Sequence, residues 1–205
     1  MLQNRVDPFG DLILTPARGS WTGTRGILHN KEHQIIRPFK LKAWLTCQLQ
    51  FKGRRRQVMA PDRYTSLFFL DEATSFAAGH RPCCECRRED FNRFKTAWLQ
   101  GNPSYGFHQK TPIGEIDKIL HRERIARDGS KVFGHADIHT LPDGAFIQID
   151  KHAFLLKAGR IHRWTPSGYE ASEAFPAEKM VRVLTPLSVL HAFRAGYAPQ
   201  SAVIG

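Results

Sequence analysis

Apolar positions in this chain recur in short runs, and their period switches between two and about 3.6 residues. Residues 42–51 alternate: Trp44, Thr46, Gln48 and Gln50 fall on one face, Leu45, Cys47, Leu49 and Phe51 on the other. With Lys52-Gly53 as a turn and residues 54–59 returning, this predicts a β-hairpin. Residues 71–79 carry the helical period. Ala73, Phe76 and Ala77 share a face, Asp71 can cap the start, and Gly79 can take the left-handed conformation that closes the end. Residues 87–100 predict a second helix with Phe91, Phe94, Ala97 and Trp98 inward, stopped by Gly101-Asn102-Pro103. Residues 113–127 predict a third, with Ile116, Ile119, Leu120 and Ile125 as its apolar stripe.

Period two resumes over residues 131–164, broken by turns at Pro142-Asp143-Gly144 and Ala158-Gly159, and predicts a β-meander. A loop rich in turn residues follows over 164–169, then a last strand near 181–184. The final helix, 186–196, has proline at its start and glycine at its end, the expected polarity. Residues 1–30 are rich in Gly, Pro, Thr and Arg and read as a loop-rich arm with one strand at 12–14. Short strands mixed with isolated helices, without a βαβ repeat, predict an α+β fold. A β-hairpin and Cys-x-x-Cys knuckle with its helix would pack on a C-terminal antiparallel β-meander with flanking helices. Residues 1–110 form the basic N-terminal region and 111–205 the helix and meander region, expected to make one compact unit.

The chemistry concentrates in the cysteines. Three of the four lie within residues 83–86, which is no disulfide framework; such clustering favours metal binding or redox chemistry. Cys83 and Cys86 have the spacing that lets two thiolates hold one ion. Further ligands must come from Cys47, His80 and Cys84. On the alternating pattern Cys47 shares the apolar face with Leu45, Leu49 and Phe51 and reads first as a small core residue.

Residues 71–87 resemble part of the metal-binding domain of Ada-type DNA-repair proteins. The matching residues are Ala77, Ala78, Gly79, Arg81, Pro82, Cys83, Cys86 and Arg87, with His80 where the family has an aromatic residue. The resemblance implies a structural Zn2+ on cysteines and contact with the DNA backbone. The family's first cysteine pair has no counterpart, because Cys47 is the only upstream cysteine. The family's methyl-transfer chemistry, which uses that pair, therefore does not carry over.

Charge points the same way. Thirty Lys+Arg against 19 Asp+Glu give a net +11, which makes nucleic acid, DNA or RNA, the first partner to consider. Lys52, Arg54, Arg55 and Arg56 at the hairpin tip, with Arg87 and Arg88 beside the knuckle, are the candidate phosphate contacts. No apolar run has the length of a membrane span, and residues 1–10 lack the apolar core of a signal peptide, so a cytoplasmic protein without a membrane partner is expected. Two other readings stay open. A metal-dependent hydrolase or nuclease could draw on His121, Glu123, His135, Asp137 and His139, of which the last three share a strand face at period two. A regulatory module could offer its basic surface to an acidic protein partner.

Overall fold

The computed structural model describes residues 1–53 and 57–203. It is an α+β fold built on two six-stranded sheets and four α-helices. Strands β1 (Gln3–Val6), β2 (Leu12–Leu14), β3 (Trp21–Thr24), β4 (Leu45–Cys47), β5 (Leu67–Phe69) and β6 (Arg81–Pro82) form the first sheet in the order β2-β1-β5-β3-β4-β6. It is mixed: β1 with β5 and β4 with β6 run parallel, the other pairs antiparallel. The expected N-terminal arm is thus three strands of a sheet. The expected hairpin is not formed as such: β4 pairs with β3 and β6, and residues 57–59 are in no strand. Its turn does form, with positive φ at both Lys52 (52°) and Gly53 (65°). Arg54, Arg55 and Arg56 lie outside the described residues.

Strands β7 (Gly134–Asp137), β8 (Phe146–Ile149), β9 (His152–Lys157), β10 (Arg160–Thr165), β11 (Gly168–Glu173) and β12 (Met180–Val183) form the second sheet. Its pairings are all antiparallel, in the order β11-β10-β9-β8-β12-β7. Of the predicted meander, β8, β9 and β10 are consecutive neighbours, whereas β7 is parted from β8 by the last strand, β12, which inserts between them. The expected loop over 164–169 instead contributes its end to β11, a largely polar strand on the sheet's edge.

Helix α1 (Glu72–Ala77) lies between the sheets with all six residues buried. Ala73 and Ala77 pack with Phe146, Leu155 and Leu184 of the second-sheet region. Its polar groups are satisfied internally, as burial requires. Asp71 accepts from the Thr74 N–H (2.8 Å) and the Tyr169 hydroxyl (2.8 Å). Glu72 accepts from Arg87, the Tyr197 hydroxyl and the Gln200 N–H. Gly79, at φ +83°, closes the helix as expected. A Cβ there would strike the Arg124 side chain, so glycine is needed for space as well as for conformation.

Helices α2 (Arg88–Gly101), α3 (Ile113–Arg124) and α4 (Leu187–Arg194) share a core of Phe76, Phe94, Trp98, Ile116, Leu120 and Phe193. The Phe76 ring meets Phe94, Phe193 and Tyr197 at 5.3 Å between centroids, contacts each worth about 0.5–1.5 kcal/mol beyond area burial. This core fixes the start of α2, and with it the cysteine turn that leads into the helix. Among the described residues no helix is long and apolar enough to cross a membrane.

Candidate metal centre

Parallel pairing of β4 with β6 sets Leu45 opposite Arg81 and Thr46 opposite Pro82. One residue further on, the Cys83 N–H donates to the Thr46 carbonyl at 3.0 Å. The register therefore brings Cys47 and Cys83 side by side, although 36 positions part them in sequence. The chain then folds into a tight knuckle. The Glu85 N–H donates to Cys83 Sγ (3.4 Å) and the Arg87 N–H to the Cys83 carbonyl (3.1 Å). This turn carries Cys86 back to the same point just before α2 begins. The sulfurs of Cys47, Cys83 and Cys86 all lie within 4.8 Å of one another, and all three residues are buried. Leu45 and Phe51 pack around them.

The donor set fits a thiophilic divalent ion. Tetrahedral bonds of about 2.3 Å place two sulfurs roughly 3.8 Å apart, inside the observed separation. Neighbouring thiols hold the Cys83 proton affinity well below the ordinary thiol range, because Cys47 and Cys86 donate to its sulfur and backbone N–H groups add to this. The same sharing pushes the Cys47 thiol up. Three sulfurs this close cannot all be thiolates without a cation among them, since like charges at this range repel strongly away from water. The cluster can therefore hold one metal ion, and it is the only group of three or more His, Cys, Asp or Glu donors so gathered among the described residues.

The other candidate ligands lie elsewhere. Cys84 is exposed on the outside of the knuckle. His80 is fully buried among Trp44 and Phe69, and its Nε2 accepts from Arg25 Nε at 3.2 Å. Burial and the nearby Arg25 and Arg124 charges hold His80 neutral, with its pKa well below the usual histidine value.

The histidine–carboxylate set does not assemble. Period two ends at Asp137, whose carboxylate accepts from the His139 N–H and turns the chain into a short 3-10 segment, Ile138–Thr140. His139 then meets Phe175, while His135 is exposed on β7. On α3, His121 packs against Phe39. Glu123 accepts from the Ser188 N–H (3.1 Å) and Oγ (2.6 Å), serving the start of α4.

Of the candidate phosphate contacts, Lys52 and Arg88 are exposed. Arg87 is not available: it is buried, paired with Glu72 and Asp90, and stacked 4.0 Å over Trp21. Its charge serves the anchoring of α1 to α2.

Two features beside the centre escape a sequence reading. Arg81 makes a buried two-pronged pair with Asp117 of α3, at 2.7 Å on both arms. Trp44 is clasped between the guanidinium groups of Arg25 (4.0 Å) and Arg124 (3.9 Å). Neither has a local signal, because each joins residues far apart in the chain. A cavity of about 560 Å³ adjoins the cluster, lined by Cys47 with Thr24, Asp62, Arg63, Tyr64 and Ser66 among others.

Comparison with models of known protein families, with curated proteins and with solved structures finds no match for this chain.

Proposed function

We propose that this is a zinc protein that binds nucleic acid through the phosphate backbone. The observation that carries the reading is the convergence of three buried sulfurs from two separated segments on one point. Zinc is the ion that thiolates favour where redox-neutral binding is needed. Bound there, it would join the end of β4 to the knuckle and the start of α2, adding its binding energy to folding. Nucleic acid is favoured by the net charge of +11, by exposed Lys52, Arg63 and Arg88 in the segments that flank the cysteines, and by the local similarity to Ada-type metal-binding domains. The hydrolase reading has less support, because its histidines and carboxylates lie apart.

Gel shifts on single- and double-stranded DNA and RNA over a salt series test this reading. The logarithm of affinity should fall linearly with the logarithm of salt, by about 0.9 per phosphate contact on duplex DNA. Charge reversal at Arg54, Arg55, Arg56 and Arg88 should weaken binding to all sequences alike and flatten the slope. Binding that ignores salt, or that survives the reversal unchanged, would overturn it.

A further inference from the structure

Zinc held by three protein donors keeps one coordination position open, whereas structural sites close it with a fourth. Among the described residues no further His, Cys, Asp or Glu atom lies within reach of all three sulfurs. The two other ligands that the sequence offered are placed elsewhere. Cys84 faces outward from the knuckle, and His80 is locked to Arg25 in an aromatic pocket. Of the three cysteines only Cys47 lines the adjoining cavity of about 560 Å³, so one side of the cluster borders a space large enough for a small molecule.

Resting on the zinc reading above, we infer that the fourth position of the centre opens into this cavity and takes an exchangeable ligand: water at rest, displaced by a small-molecule thiolate. The charge balance selects the class. Three thiolates on a divalent cation leave the centre with one net negative charge, which makes it a poor acceptor for hard anions such as carboxylate or phosphate. A soft sulfur donor gains covalency there that a hard oxygen donor does not. Arg63 and Asp62 both line the cavity, so its charged side chains balance, and Thr24 and Ser66 offer hydroxyl groups to the polar end of an incoming thiolate. The site is thus built to bind a compact thiol through its sulfur.

The test uses the full-length protein loaded with Co2+ in place of zinc and titrated with 2-mercaptoethanol. The expected result is one cobalt per chain, with visible bands that shift saturably as the thiol enters. Cys84→Ser should give the same spectrum and the same titration. A spectrum that does not respond to thiol, or that changes in Cys84→Ser, would show the fourth position closed by the protein and overturn the inference while leaving the metal centre standing. Failure of the protein to bind cobalt or zinc at all would overturn the metal centre itself, and this inference with it.

Discussion

Replacing Asp117 with asparagine should be among the most damaging single changes outside the core. The Arg81–Asp117 pair joins β6, which leads into Cys83, to the middle of α3. Its two bonds are both 2.7 Å, and the side chains are 3% and 6% exposed. Arg81 has one other acceptor, the Pro82 carbonyl at 3.1 Å, and its guanidinium lies 5.6 Å from the Phe91 ring. Asparagine keeps one acceptor and turns an amide N–H toward the other guanidinium arm. A buried charge is then left without its counter-charge, a loss of about 3–5 kcal/mol. For a protein of this size each kcal/mol moves Tm by about 2–4 °C, so a fall of roughly 6–20 °C is expected. The assay is urea and thermal unfolding of Asp117→Asn, Arg81→Met and the double variant Arg81→Met/Asp117→Leu. The double variant buries no unpaired charge and should lose far less than the sum of the singles. Metal affinity, read by competition with a chelator, should fall in Asp117→Asn because β6 positions Cys83. A cost for Asp117→Asn below about 1 kcal/mol, or additive costs in the double variant, would refute the reasoning.

Two further outcomes follow from the same geometry. Gly79→Ala must hold a side chain at φ +83° against Arg124, so unfolding should show a loss of at least about 1–2 kcal/mol, and an unchanged Tm would mean that α1 can end another way. Asp7 is desolvated, which raises its pKa to about 6 from an ordinary 3.8. Its folded form therefore holds a proton more tightly than the unfolded chain, so its stability contribution is full below pH 3.8 and is lost as pH rises through about 6. Asp7→Asn should gain stability relative to the unmodified protein between pH 4.5 and 7.5, measured by urea midpoints; parallel pH curves would contradict this.

Where burial follows a simple period, the sequence is readable. α2 and α3 show their apolar stripes because one face packs on a core and the other meets water. The meander from β8 to β10 is marked by turns whose residues can take positive φ, such as Ala158 and Gly159. The first sheet hides because it turns polar groups inward. Asn4, Arg5, Thr22 and Thr24 are all buried, and two of them bond to distant chain segments, Arg5 to the Pro166 carbonyl and Thr22 Oγ1 to the Leu67 carbonyl. Such pairing leaves no alternation to read. β11 hides for the opposite reason: it is an edge strand, largely polar, with half of its residues exposed and none buried.

The candidate site divides in the same way. Cys83 and Cys86 are legible because their spacing is local. Cys47 reads more readily as a core residue than as a ligand until the parallel register of β4 on β6 is known. His135, Asp137 and His139 mislead because period two is assumed to persist, whereas the Asp137 carboxylate captures the His139 N–H and ends the strand. Arg87 misleads because a guanidinium beside cysteines looks like a ligand for phosphate, yet Glu72 and Asp90 consume it inside the fold.

The most direct test of the metal centre is the zinc content of the purified protein and of its four single cysteine-to-alanine variants, each measured per folded chain. The account predicts one zinc per chain in the unmodified protein and in Cys84→Ala, with the metal lost or strongly weakened in Cys47→Ala, Cys83→Ala and Cys86→Ala. Full zinc retention in Cys47→Ala, or a chain that takes up no metal while its sulfurs are reduced, would contradict it.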